Sequence, residues 1–377
     1  MKKLASILSM KKNTSPESKS SQLCEVLQEN LKKNNSVVNK SRLKLISMVI
    51  TALCKVQTVS FNKLAIAFDN SSKAESSLRR IQRFIAEFDL CMDTIARLIF
   101  GLLPEKTNLK LVIDRTNWKF GKQNINILML GVAYKNIAFP LMFKMLDKRG
   151  NSNSLERINL IKRFIRLFGK NCIDCIMADR EFVGEEWIKF LNKENLSYYI
   201  RIRNNFKVFL PRKNTSIPVN WLFLGLKHGE IRHYPRIVII NKEYCYISAT
   251  MTHNRNNKPE LLIIISFNKN EQSILNYKER WQIETCFRAM KSSGFDIEKT
   301  HLQDIKRIEK LLCLVMIAFV WCYKVGDYID RFIKEIKIKK HGHRAKSIFK
   351  YGLEHIANIL LNPQKDGFRE VLLKIVM

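Results

Sequence analysis

The chain has 377 residues, 46% of them apolar, and carries 66 Lys and Arg against 34 Asp and Glu, a net charge of +32. Its length suits two or three domains, and its apolar share excludes global disorder. A cationic surplus this large works against compaction unless a polyanion binds, which points first to nucleic acid and second to a membrane surface.

Residues 1–40 are polar and rich in Ser, Asn and Lys, and their start is expected to be partly disordered. Lys2 and Lys3 precede no long apolar region and no small-residue cleavage site, so secretion is not expected. Residues 41–105 read as a helical domain. Ser41 to Cys54 carries an apolar stripe, Ser60 to Phe68 is a short helix opened by a serine cap, Asp69 to Ser72 is a turn, and Lys73 to Phe88 is a further helix. Helix, polar turn, helix is the outline of a helix-turn-helix. Arg79, Arg80 and Arg83 lie near one another on its second helix and are candidates for contact with a DNA end. A small helical bundle with a solvated basic face has the same pattern.

From residue 106 the period changes. Leu109 to Ile113, Ile125 to Tyr134 and Ile137 to Leu146 are strand-like runs separated by polar breaks, which predicts an antiparallel meander, with Pro140 marking an edge. Ser154 to Phe168 is an amphipathic helix, Cys172 to Ala178 a buried strand, Gly184 to Lys193 a helix and Ser197 to Arg203 a strand. This order, through residue 203, matches an α/β ribonuclease H-like core, a mixed sheet flanked by helices. Residues 204–268 form a β-rich insertion placed before the last catalytic helix. Residues 269–325 return to helix, and 326–377 form a basic, helical C-terminal region. The longest uncharged run, Leu311 to Tyr323, is shorter than the about 20 residues needed to cross a bilayer and reads as a buried helix, so no membrane association is expected. The nine cysteines are scattered, as suits a reducing cytosol. Cys172 and Cys175 have redox or zinc spacing, but no second pair accompanies them, and a strand would aim them at opposite faces.

Two aspartates follow apolar strands in the same way: Leu111-Val112-Ile113-Asp114 and Ile176-Met177-Ala178-Asp179. A strand ending in a carboxylate presents that charge at a sheet margin, where burial requires a partner or a metal. Each Asp read singly also fits a turn cap. Farther on, Tyr277, Arg280, Glu284 and Lys291 stand at offsets 0, 3, 7 and 14. On one continuous helix they share a strip roughly 60° wide and about 20 Å long. A carboxylate beside a guanidinium and an ammonium suits phosphate chemistry. An ordinary i, i+4 ion pair of Arg280 and Glu284 on a solvent face also fits. Glu181 reads as a salt-bridging residue beside Asp179.

The string Tyr277-x-x-Arg280-Trp281-x-Ile283-Glu284, followed by Lys291, resembles the Y-R-E-K signature of transposases of the insertion-sequence-four family. Asp114-Arg115-Thr116 and Asp179-Arg180-Glu181-Phe182 resemble the family's first two acidic motifs, and the likeness covers roughly residues 40–325. One departure is Arg115, where some relatives carry a second acidic residue. The resemblance implies a bacterial cut-and-paste transposase with Asp114, Asp179 and Glu284 as catalytic and metal-binding carboxylates. They would hold two Mg²⁺ ions, with Mn²⁺ as a substitute. Tyr277, Arg280 and Lys291 would bind DNA phosphate, while Trp281 and Trp118 are candidates to stack on an extruded base. The implied partners are double-stranded DNA (terminal inverted repeats and target) and a second copy of the chain in a synaptic homodimer, in the bacterial cytoplasm. Alternatives are a ribonuclease H-like nuclease without strand transfer and a non-catalytic DNA-binding regulator.

Overall fold

The computed structural model describes residues 18–33, 38–120, 123–253, 256–269, 271–340 and 342–362. The chain divides into two compact units, one from Met1–Leu102, Met290–Leu302 and Lys306–Met377, the other from Leu103–Ala289 and Gln303–Ile305.

The first unit is helical among the described residues. Helices α1 (Lys19–Lys33), α2 (Lys40–Val56), α3 (Phe61–Ile66), α4 (Ala74–Glu87) and α5 (Met92–Leu102) precede its later pieces. Within the polar N-terminal segment, Lys19–Lys33 is helical. Leu23, Leu27 and Leu31 recur at helical spacing and are buried, so α1 presents one apolar stripe. Residues 1–17 lie outside the described part. Every residue from Leu311 to Tyr323 is buried in the long helix α10 (Ile305–Phe332), as the uncharged run predicts. Helix α11 (Ile348–Leu361) crosses α10 at glycines. A Cβ on Gly326 would lie 2.0 Å from the Ile348 carbonyl oxygen, and one on Gly352 1.8 Å from that of Cys322. Any side chain at either position forces the helices apart. No helix among the described residues is long and apolar enough to cross a membrane.

The second unit is built on a mixed sheet. Strands β1 (Leu109–Phe120), β2 (Gln123–Tyr134) and β3 (Ile137–Met145) form the antiparallel meander. Helix α6 (Ser154–Phe168) leads to β4 (Ile173–Ala178), and α7 (Glu185–Lys193) leads to β5 (Tyr198–Ile202). Both β4 and β5 add in parallel, giving the order β3-β2-β1-β4-β5. This is the ribonuclease H-like arrangement. Pro140 lies on β3, which is the sheet edge, where a missing N–H costs least. Asn153 and Glu156 form a capping box that starts α6.

Six further strands follow among the described residues: β6 (Lys207–Leu210), β7 (Thr215–Pro218), β8 (Ile231–His233), β9 (Val238–Ile240), β10 (Glu243–His253) and β11 (Pro259–Ser266). They do not form a sheet of their own. β11 pairs antiparallel with β5, β10 with β11, and the remainder continue outward. The sequence marks a β-rich stretch here, but which strand pairs laterally with β5 is decided by side-chain fit between segments far apart in the chain.

Candidate active site

Asp114 and Asp179 are brought together by strand register. β1 and β4 run parallel, and their last pair is Ile113 with Ala178. Each aspartate therefore stands one residue beyond that pair, on adjacent chains about 4.8 Å apart. Asp114 is not at a strand end, as the sequence pattern suggests. β1 continues to Phe120 because β2 pairs with it along that length, Phe120 opposite Gln123. The opening comes from β4, which stops at Ala178 and leaves that flank of β1 without a strand partner. Asp179 starts a 3₁₀ turn (Arg180–Phe182), its Oδ1 accepting the Arg180 N–H at 2.8 Å.

Tyr277, Arg280 and Glu284 close over these two acids. The expected continuous helix is broken: α8 (Ser273–Lys278) passes into a 3₁₀ turn (Glu279–Trp281) and then α9 (Gln282–Met290). A 3₁₀ turn eclipses residues i and i+3. The Arg280 guanidinium accordingly lies over the Tyr277 ring, 5.7 Å from its centroid. Arg280 Nη1 donates to Asp114 Oδ2 at 3.0 Å, and its Nη2 donates to Glu284 Oε1 at 3.0 Å. The Tyr277 hydroxyl donates to Asp179 Oδ1 at 3.3 Å. The i, i+4 pair of Arg280 and Glu284 thus exists, but its Arg280 end is buried, Glu284 is partly exposed, and the fork extends to a third residue, Asp114. Lys291 departs from the strip: it follows the end of α9, belongs to the helical unit and pairs with Glu298 at 2.7 Å.

Burial pushes the Asp114 carboxyl up to about 6, against the opposing pull of Arg280 and of the Arg115 N–H. Burial also works against the charge on Arg280, but Tyr277, Asp114, Asp179 and Glu284 outweigh it and its pKa rises. The Tyr277 phenol is pushed up by burial. The pocket is therefore built around one positive charge among three carboxylates, with Arg280 only 4% exposed.

A second ion pair ties the two aspartate segments to each other. Arg115 Nε and Nη2 donate to the two carboxylate oxygens of Glu181 at 3.2 and 3.3 Å, and Nη1 donates to Asn126 Oδ1 at 3.0 Å. Glu181 salt-bridges as its position suggests, and its partner is Arg115, the residue that departs from the family pattern. Arg157, on α6, was not singled out by motif reasoning. It donates through Nη2 to the Glu181 carbonyl at 3.0 Å and sits over the Phe182 ring at 4.8 Å. Burial pulls its pKa down to about 10, against Glu181 and Glu156. The signal was present: Arg157 shares a helical stripe with Leu160, Ile161 and Phe164, and a charge on an apolar face needs a buried partner. Glu181→Ala should cost roughly 1–3 kcal/mol of stability, read from denaturant unfolding, because it strands Arg115 partly buried. An unchanged midpoint would show that the pair carries no load.

Residues 106–321, more than half of the chain, match the sequence profile described as a transposase DDE domain. The chain belongs to the transposase DDE domain family. It is accordingly a DNA-cleaving and strand-transferring enzyme, and enzymes of this family use divalent metal ions. No curated protein matches the chain in sequence. A solved structure similar to it is the cryo-EM structure of the piggyBac transposase synaptic complex with hairpin DNA, at 12% identity and a TM-score of 0.46, covering 96% of this chain and 83% of that one.

Trp281 is 50% exposed, beside Arg280, whose guanidinium lies 5.3 Å from its ring. Trp118 is buried in β1, so the stacking role does not suit it: a ring with 8% exposure offers no face to a base. Arg79, Arg80 and Arg83 are all exposed on α4. Cys172 and Cys175 are both buried with free thiols, and burial pushes both pKa values up, which disfavours the thiolate that redox or zinc chemistry needs. Among the described residues, no three His, Cys, Asp or Glu side chains converge closely enough to hold an ion. At the candidate site the Arg280 fork bridges Asp114 and Glu284. The donor set still suits a hard divalent cation, since it consists of carboxylate oxygens gathered about a positive charge.

Proposed function

We propose that this enzyme is a bacterial cut-and-paste transposase of the insertion-sequence-four type, with Asp114, Asp179 and Glu284 as its catalytic carboxylates. The observation that carries the reading is the hydrogen-bonded group Asp114–Arg280–Glu284 with Tyr277–Asp179, which gathers every acid and two basic or phenolic groups of the signature at one sheet opening. Asp114, Asp179 and Glu284 would hold two Mg²⁺ ions, or Mn²⁺ in their place. Such ions, when bound, activate the attacking oxygen and stabilise the leaving one. Asp114 and Asp179 supply rigid ligands from adjacent chains, and Glu284 completes the set from the helical side. Arg280 then turns its fork to a phosphate oxygen, for which its planar donors are suited. Tyr277 orients the same phosphate through its hydroxyl.

Water breaks a phosphodiester at the transposon end and leaves a 3′-OH. That hydroxyl displaces a target 3′-oxygen from its phosphate, so one bond forms as one breaks. The partners are terminal inverted repeats and target duplex, bound by a homodimer in the bacterial cytoplasm, with α4 arginines engaging the ends and Trp281 stacking on an extruded base. The test is a time course on end-labelled duplex bearing the DNA that flanks this gene. Joined product supports the reading, whereas cutting without joining reduces the enzyme to a nuclease.

Lys291 lies beyond the end of α9, seven residues past Glu284, and its phosphate contact is proposed to lie away from the scissile bond. Lys291→Ala should leave first-strand nicking largely intact and lower the joined fraction. Nicking slowed as severely as by Glu284→Ala would place Lys291 among the reacting atoms instead.

A further inference from the structure

The helical unit contains a groove of about 480 Å³ lined by Arg79, Gln82 and Arg83 of α4, Arg307 of α10, and Glu87 at the end of α4, with apolar residues beneath. Arg307 belongs to no motif, and it stands far from the other arginines in sequence. Its place beside them follows from Lys310, three residues later on α10. The Lys310 ammonium is buried and donates to the carbonyl oxygens of Ile85 and Ala86, at 2.9 and 3.3 Å. Those carbonyls belong to the last turn of α4, where no intrahelical donor remains for them.

This contact has two consequences. It pins the C-terminal turn of α4 to α10, which fixes the spacing of Arg79 and Arg83 relative to Arg307. It also cancels the partial negative charge that a helix C-terminus carries, about half an elementary charge. Without it, the α4 carbonyls would repel an anion entering the groove. Among the residues that line the groove, three carry guanidinium groups and one, Glu87, carries a carboxylate. Arg80 is exposed on the same helix but does not line the groove, because it is displaced by one residue from the face shared by Arg79, Gln82, Arg83 and Glu87.

We propose that the α4–α10 groove is a phosphate-backbone clamp for duplex DNA, with Arg79, Arg83 and Arg307 as its phosphate contacts, Gln82 as a hydrogen-bonding partner and Lys310 as the positioning residue. It rests on the reading of the chain as a DNA-acting transposase and extends the α4 contact to Arg307 and Lys310, on a helix remote in sequence. Guanidinium forks match phosphate oxygens in pairs, and a sequence-neutral backbone contact fixes register without reading bases.

The clamp can be tested by fluorescence anisotropy of the full chain on a short duplex of arbitrary sequence, over a salt series. Each lost phosphate contact should lower the slope of log affinity against log salt by about 0.9, which amounts to roughly eightfold weaker binding at 0.1 M salt. Arg307→Ala should show this loss, Arg307→Lys should regain most of it, and Lys189→Ala, an exposed cation on α7, should show none. Arg79→Ala with Arg307→Ala should lose about two contacts' worth of slope. Lys310→Met, which keeps the stem, should weaken binding with a circular dichroism spectrum like that of the parent. A slope unchanged by Arg307→Ala overturns the clamp, as does an equal loss in Lys189→Ala. Strand joining is measured separately on the parent enzyme. A clamp signature without joined product leaves the groove standing and removes the transposase reading, and the converse result removes the groove alone.

Discussion

Replacing Asp114, Asp179 or Glu284 by alanine is expected to abolish DNA cleavage, by roughly a thousandfold or more, while leaving duplex binding near the parent value. The magnitude follows from the several kcal/mol of transition-state stabilisation that bound divalent ions supply, at about 1.4 kcal/mol per tenfold. The three losses should resemble one another, because each removes a ligand from one shared assembly and such units are strongly non-additive. A double variant should therefore cut no worse than a single one. Single-turnover cleavage on end-labelled DNA with saturating Mg²⁺ decides the matter. A variant that still cuts at the parent rate removes its residue from the site, and the Tyr277–Asp179 hydrogen bond or the Arg280–Glu284 ion pair that it joins would then be structural alone.

The second large effect is expected at Arg280, and it concerns stability in the absence of metal. Asp114 and Glu284 both accept from its fork, and Asp114 is mostly buried. Arg280→Ala leaves that carboxylate without a countercharge, and breaking a buried pair by removing one partner costs about 3 kcal/mol or more. In a chain of this size the melting temperature should fall by roughly 5 °C or more in chelator. A divalent ion that binds the folded site should restore most of the loss, because a ligand of the native state stabilises by mass action. The parent enzyme, with its own guanidinium in place, should gain less from the same ion. Arg280→Lys keeps the charge but not the fork and should fall between the two. Melting curves with and without Mg²⁺ read this directly. Equal metal-induced shifts in Arg280→Ala and the parent would show that Arg280 does not stand where a cation is needed.

Much of the candidate site is legible in the sequence. Apolar runs that end in Asp114 and Asp179 are local patterns, and the Tyr277, Arg280, Glu284 spacing is a local pattern too. The structure brings these five residues together. The strip that includes Lys291 supposes one continuous helix, which the structure does not have. The 3₁₀ turn at Glu279–Trp281 changes the rotation per residue, and the helix ends at Met290. Arg157 could have been noticed as a charge on an apolar stripe, but nothing in sequence says that it reaches the Glu181 carbonyl.

What the sequence determined by itself is what short-range periodicity encodes: an α/β chain with helices first, a meander, and alternating strands and helices. Those properties depend on neighbours within a few residues, whose burial alternates with period two or near four. Only the tertiary structure decided that β4 stops short of β1 and so opens a flank at Asp114, and that β11 attaches to β5 and continues the same sheet. It alone set Arg280 between two carboxylates and brought Arg307 beside Arg79 through Lys310. Lateral pairing and long-range ion pairs join segments from tens to hundreds of residues apart. Their partners are chosen by register, shape and the cost of burying an unpaired charge, and none of these is a function of local period.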